Sequence, residues 1–182
     1  MDVLDRDGLP GLTIRKVAAK AGLSPMAMYR HFADKDGLLN ALMTEGLDAW
    51  ERVARSIRTN DPIRWLEQLM DGFMTFALEQ PHRFDAAFFL PAPEARRYPD
   101  DFAAGRSPVV AMAVTRIELA KSAGLVGDHP AVDQVLCLAA LGQGLVSMHR
   151  AGRFGSEEQF RKLYRTTVRH ALNSFKTNRG KR

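Results

Sequence analysis

The sequence predicts an all-α protein, with a short N-terminal helix-turn-helix unit followed by a larger helical bundle. Three observations carry this expectation. Apolar residues recur three and four apart along the chain, and no stretch alternates as a half-buried strand would. Ser, Thr and Asp stand where helices would begin, and Gly stands where the first would stop. Beyond Asn60 the pattern lengthens from compact turns into long amphipathic segments, which marks a second domain.

The elements follow in chain order. Thr13 caps a helix through Val17, Ala18 and Ala21 that stops at Gly22, a residue at ease in the left-handed region. Ser24 caps the next, with Pro25 at its first helical position, where a missing N–H costs nothing. Only Gly22 and Leu23 separate the two, so they must cross steeply. Asp34 caps a longer third helix, whose Leu38, Leu39, Leu42, Leu47 and Trp50 reach back to the short pair and forward to the second domain. Residues 62–80, 107–122, 130–151 and 156–176 read as long helices. The stretch Leu90 to Pro108, with four prolines, holds only short helical pieces and is the expected mobile loop. The expected domains are 1–45, a helix-turn-helix unit, and 46–182, a helical bundle.

Composition narrows the function. With 46% apolar and 26% charged residues, the 182-residue chain has ordinary globular usage. Its longest apolar run, Val135 to Gly142, is far short of the roughly 20 residues a bilayer needs. The start carries Asp2, Asp5 and Asp7 rather than a secretory signal, so a cytoplasmic protein with no membrane partner is expected. Cys137, among Leu136, Leu138 and Ala139, reads as a small core residue. The five histidines have no metal-ligand spacing, and Gly142-x-Gly144 follows no strand, so neither metal, cofactor nor catalysis is expected.

The net charge of +5 is unevenly placed. Arg15, Lys16, Lys20, Arg30 and Lys35 face Asp34 alone between Thr13 and Lys35. The chain from Arg161 onward is also basic, but it reads as a solvated helix face and frayed end. On the short helix Ser24 to Phe32, Met28 and Phe32 are four apart and face the core, which turns Pro25, Met26, Ala27, Tyr29 and Arg30 outward. Small apolar groups suit thymine methyls, arginine suits guanine, and hydroxyls and lysine suit phosphate oxygens. A capped surface helix in an ordinary bundle would leave Met26 and Tyr29 exposed for no reason. The short helix is therefore expected to read double-stranded DNA in the major groove.

The segment "LTIRKVAAKAGLSPMAMYRHFADKDGLLNAL", Leu12 to Leu42, resembles the DNA-binding domain of TetR-family transcriptional regulators. The capped Thr13, the Ala-x-x-Ala-Gly-x-Ser run ending at Ser24, Tyr29-x-x-Phe32, and Lys35 followed by Leu38 and Leu39 carry the resemblance. It implies that Tyr29, His31 and Lys35 grip phosphates, that Thr13 adds a hydroxyl contact, and that Arg15, Pro25, Met26, Ala27 and Arg30 face bases. Met26 and Ala27 occupy positions that vary within the family. One departure stands out: family members carry a full first helix after a basic arm, whereas only Met1 to Asp7 precede the expected turn Gly8-Leu9-Pro10-Gly11. Either the chain begins upstream of Met1, or this is a dimeric small-molecule- or protein-binding module that has lost DNA binding with helix one.

The remaining segments supply dimerisation and sensing. Ser156 and Gln159 form a capping box, and Phe160, Leu163, Tyr164, Val168, Ala171, Leu172 and Phe175 make one stripe. The helix before it is apolar nearly all round and rich in small residues, so pairing the two with their copies would give a four-helix homodimer interface, as the family does. From Ile63, one stripe holds Leu66, Met70, Phe73 and Ala77, and another holds Trp65, Leu69 and Phe76. Phe84, Phe88, Phe89, Met112 and Ile117 add further lining, with Gln143 and His149 as polar anchors. Such stripes alone read as plain core; the resemblance makes a pocket for a small, largely apolar effector the better reading. The expected protein is a ligand-responsive regulator, a repressor released from a palindromic operator by that effector.

Overall fold

The computed structural model describes residues 11–177. They are helical, with one isolated antiparallel bridge between Val126 and Lys176. The helices are α1 (Ile14–Lys20), α2 (Pro25–His31), α3 (Lys35–Ser56), α4 (Pro62–Glu79), α5 (Pro81–Phe88), α6 (Asp100–Ala103), α7 (Pro108–Ser122), α8 (Ala131–Arg150) and α9 (Glu157–Ser174). The all-α expectation holds, and the four long segments appear within two residues of their expected ends. The expected shortfall of helix one and the turn Gly8 to Pro10 lie outside the described residues. Gly11 itself is helical rather than part of a turn, with Leu12 buried beside it.

The chain divides into two compact units. The first holds the chain up to Ala49 together with Pro81–Ala95, and the second holds Trp50–Gln80 and the chain from Arg96 onward. The first is built on two small clusters. Ile14, Ala18, Met28 and Leu38 tie α1, α2 and α3 together, while Leu12, Leu39 and Met43 pack with Ala92. Val17 and Leu42 touch both. The helix α5, which the sequence expectation does not include, packs closely on α3: a Cβ at Gly46 would lie 2.6 Å from the Arg83 carbonyl oxygen. A glycine there lets the two backbones approach. Arg83 also pairs with Glu45 at 3.0 Å.

The second unit has the larger core. The helix α4 packs against α7, α8 and α9, and α8 against α7 and α9. Eight residues of α4 are buried, from Trp65 to Ala77, so both apolar stripes read from the sequence are covered. Trp50 meets Phe73 edge-on at 5.3 Å and stacks on Phe76 at 6.0 Å, arrangements aromatic pairs favour. With 20 residues and a mean hydropathy of 1.4, α8 is long and apolar enough by composition to cross a bilayer, which the short unbroken run Val135 to Gly142 hid. It instead buries Ala131, Val135, Leu138, Gly142 and Val146 against its neighbours, as the core helix of a bundle does.

Cys137 departs from expectation. It is exposed, not buried. The buried stripe of α8 runs through Leu138 and Gly142, and the neighbouring position is turned about 100° away. Cys137 thus shares its side of the helix with Ala140, Gly144 and Met148, all exposed.

Candidate functional site

In the first unit, local chemistry sets the geometry of α1, α2 and the start of α3. The Thr13 hydroxyl accepts from the Lys16 amide at 3.2 Å, the Ser24 hydroxyl from Ala27 at 3.1 Å and the Asp34 carboxylate from Gly37 at 2.8 Å. Each satisfies an amide that a helix start leaves without a partner. Gly22, at φ +69°, ends α1, with Leu23 N–H donating to the Ala18 carbonyl at 2.9 Å and Gly22 N–H to Ala19 at 3.3 Å. This paired closure needs a left-handed residue at that place. Three caps and one glycine therefore aim a seven-residue helix whose only buried side chain is Met28.

What remains outward is the candidate set. Thr13, Arg15, Ser24, Pro25, Met26, Tyr29, Arg30 and His31 are exposed, and Ala27 and Lys35 are half-buried. Met26 is 69% exposed and Tyr29 47%, large apolar surface that a soluble helix would ordinarily cover. Leu23, equally exposed, was missed in the sequence because it sits between elements; its place just ahead of the Ser24 cap is the signal that could have found it. The first turn of α2 carries no acid, so the positive end of its dipole is not offset there.

The residues read as effector lining divide between the units. Trp65, Leu69, Met70, Phe73 and Phe76 are buried in the second, and Met112, Gln143 and His149 are half-buried there. The Arg116 guanidinium stands 5.3 Å from the Trp65 ring centroid. The His149 ring stacks on Phe160 at 4.1 Å, and its buried Nδ1 has no hydrogen-bond partner among the described residues. Phe88 and Phe89 belong to the first unit, where both rings lean on Phe84 and Phe89 is 52% exposed.

A cleft of about 190 Å³ opens between α4 and α9, lined by Arg64, Glu67, Gln68, Met70 and Asp71 on one side and by Tyr164, Arg165, Val168 and Arg169 on the other. Arg165 grips Asp71 through two bonds, Nε to Oδ1 at 2.6 Å and Nη2 to Oδ2 at 3.2 Å. That pairing, with the hydrogen bond as its main part, raises the Arg165 pKa further above its already high value. Burial, then the Asp71 charge, pushes the Tyr164 phenol above its usual range. Of the residues read from the sequence as effector lining only Met70 lies here, because guanidinium and carboxylate groups on amphipathic helices read as solvated faces.

A helix-turn-helix unit with an exposed, basic and apolar second helix, joined in one chain to a helical bundle, defines a DNA-binding transcriptional regulator. Residues 66–171, more than half of the chain, match the family described as "Tetracyclin repressor-like, C-terminal domain", and residues 1–42 match "Bacterial regulatory proteins, tetR family". The chain belongs to the TetR family of transcriptional regulators. It is similar to the HTH-type transcriptional regulator BetI of Stenotrophomonas maltophilia, 40% identical over 72 residues, and to that of Burkholderia cenocepacia, 43% identical over 53 residues. These stretches cover 38% and 29% of this chain, and 37% and 27% of those proteins. Its fold is similar to that of a TetR transcription regulator from Haloarcula marismortui, with a TM-score of 0.74, 21% identity and coverage of 97% of this chain and 93% of that one. The ketosteroid transcriptional regulator KstR2 of Mycobacterium tuberculosis shares it at a TM-score of 0.70, with 19% identity and coverage of 97% and 91%.

Proposed function

We propose that this protein is a cytoplasmic, homodimeric, effector-responsive repressor of transcription that binds a palindromic operator. The observation that carries the reading is α2: its buried Met28 holds it down while Met26, Tyr29 and Arg30 stand exposed on a helix fixed by caps at both of its neighbours. Residues 1–45 act as the DNA-binding domain and residues 46–182 as the effector-binding and dimerisation domain. Arg15, Pro25, Met26, Ala27 and Arg30 meet base edges, while Thr13, Ser24, Tyr29, His31 and Lys35 meet phosphates.

Dimerisation uses α8 and α9. The open side of α8, from Cys137 through Ala140 and Gly144 to Met148, is made of small and apolar groups, and Leu163 on α9 is 41% exposed. Small residues let a second copy approach closely, and a two-fold pair then presents two reading helices to half-sites about one helical turn, roughly 34 to 36 Å, apart. A largely apolar or aromatic effector, held in the second unit among Trp65, Leu69, Met70, Phe73, Phe76, Met112, Gln143 and His149, shifts that spacing and releases the operator. The helix α3 spans Lys35 to Ser56 without a break, so a swing along it would reposition the reading helix.

A gel mobility-shift assay on the promoter DNA beside the protein's own gene tests this. A retarded complex that depends on an inverted repeat, and that the Tyr29→Phe and Lys35→Ala variants weaken on every sequence alike, is the expected result. Absence of any complex at micromolar protein would overturn the reading.

A further inference from the structure

The unit that presents α2 includes a piece of chain from far downstream. Pro81–Ala95 belongs with α1 and α2, although the chain on either side of it, Trp50–Gln80 and the part from Arg96 onward, belongs to the bundle. Its last residues, 90–95, follow α5 and include Pro91 and Pro93, which on sequence grounds mark a loop. They are nevertheless anchored. Ala92 is only 6% exposed and completes the cluster of Leu12, Leu39 and Met43, with Leu90 and Ala95 packed against it. The Glu94 amide donates to Asn40 Oδ1 of α3 at 3.1 Å, across 54 residues of chain. Just upstream, α5 is seated on α3 at Gly46, where a Cβ would lie 2.8 Å from the Ala87 amide nitrogen. The segment is thus fixed to α3 both at Asn40 and at Gly46.

From this anchor a line of packed side chains runs to α2. Val17 of α1 and Leu42 of α3 touch both the cluster that Ala92 completes and the cluster of Ile14, Ala18, Met28 and Leu38. Met28 is the single buried side chain of α2. Protein interiors are close-packed, so a shift of Leu12 or Leu39 passes to Val17 and Leu42, and from them to Met28, rather than being absorbed. A helix of seven residues has no stability of its own with which to resist. Size matters at the anchor as well. Alanine brings one methyl into the cluster, and a longer side chain there must push the segment outward or Leu12 and Leu39 aside.

We propose that residues 90–95 form a strap that positions the reading helix, with Ala92 and Asn40 as its positioning residues. Docked, the strap closes the core beneath α1 and α3 and keeps Met28, and with it α2, in place. Displaced, it leaves α2 in its reading position for only part of the time, and operator affinity falls in proportion to that fraction. Neither Ala92 nor Asn40 meets DNA; both act through Met28. The inference rests on the proposed operator reading for its consequence alone. The two can fail separately, because the placement of α2 is measured without DNA.

Amide hydrogen exchange of the full chain, followed by titration of its own promoter DNA, tests the strap with two variants. Ala92→Leu overfills the anchor, and Asn40→Ala removes the acceptor of the Glu94 amide. Both should quicken exchange at Glu94 and, several-fold, at Ala27, Met28 and Tyr29, while amides of α4 and α9 keep their parent rates. Asn40→Asp, which keeps an acceptor in the same place, should restore slow exchange at all four. Ala92→Leu should weaken operator binding about tenfold and leave the preferred sequence and the salt slope unchanged, since the same contacts form whenever α2 is in place. A role confined to stability would instead lower the melting temperature and quicken exchange throughout, with the affinity of the folded protein intact. That result would overturn the proposal. So would faster exchange at Glu94 with α2 amides at parent rates, or no change at Glu94 in either variant. If the α2 amides respond as expected but the parent binds no operator, the strap stands and the operator reading fails.

Discussion

Two helices of this chain start in the same way and end up doing opposite things. Both α2 and α9 open on a serine whose hydroxyl accepts from an amide three residues on, at 3.1 Å from Ala27 and 3.3 Å from Gln159. In α9 the cap is reinforced. Gln159 returns a bond to the Ser156 amide at 2.9 Å, and Glu157 and Glu158 sit at the positive end of the dipole. Eighteen residues then bury Phe160, Tyr164, Val168 and Leu172 in one stripe. The seven-residue α2 has neither acid nor returning glutamine, and only Met28 is buried. So short a helix is not stable alone. The contrast shows where stability resides: α9 is held by its face, whereas α2 is held at its ends and by one methionine. An acid-free, positively polarised start that would be a defect in α9 suits the phosphate contacts proposed for α2.

The largest effect should come from charge on the open side of the bundle. Ala140→Glu puts a carboxylate into the proposed close-packed interface, which costs several kcal/mol unless it is paired, about enough to separate a typical dimer. Because Ala140 is exposed within one chain, the folded monomer should survive with its helical content unchanged. Sedimentation velocity would show a shift from dimer to monomer. A variant that sediments as the parent does would move the interface away from α8.

The same contrast explains what the sequence made legible. Caps at Thr13, Ser24, Asp34 and Ser156 are local, so the helix starts could be read residue by residue, and the outward set on α2 followed from Met28 and Phe32, four apart. The cleft could not be read so, because it depends on residues 94 apart meeting: nothing near Asp71 announces Arg165. Cys137 misled for a related reason. Its apolar neighbours in sequence suggest burial, but burial follows the helical period, and one position of offset turns a residue to the other side. The helix α5 escaped because His82, Arg83 and Asp85 dilute its apolar pattern, and its place is fixed by close backbone contact at Gly46.

Next in size are effects within each region. Arg15 and Lys16 are adjacent, both exposed, and about 100° apart around α1. Arg15→Ala should cost about 1 to 3 kcal/mol on the best operator and relax preference at one base pair per half-site, since a guanidinium can bond guanine O6 and N7 together. Lys16→Ala should relax nothing. Selection of preferred sites from a random DNA pool would distinguish them, and unchanged base preferences for Arg15→Ala would rule out base reading. In the bundle, a Cβ at Gly142 would lie 2.8 Å from both the Tyr164 hydroxyl oxygen and the Met70 methyl. Gly142→Ala should therefore destabilise the fold by about 1 to 2 kcal/mol, because crowding outweighs the gain in helix propensity. Urea unfolding would measure it, and a stabilised variant would mean that Met70 and Tyr164 move aside freely.

The smallest effect is the most direct test of ends against faces. Removing a serine cap costs about 1 kcal/mol in either helix. For α9 that loss is spread over a helix that four buried side chains still hold, so Ser156→Ala should lower global stability and leave the helix formed. For α2 the same loss falls on an element with one buried anchor, so Ser24→Ala should act locally. Amide hydrogen exchange should quicken at Ala27, Met28 and Tyr29 several-fold more than at amides of α4 or α9, while the global unfolding midpoint moves little. Operator affinity should then fall on all sequences, because the hydroxyl is lost as a phosphate donor and the reading helix is less often in place. If the exchange of α2 and α9 amides instead rose together in both variants, the two helices would share one cooperative unit, and the view that α2 is held by its ends would be wrong.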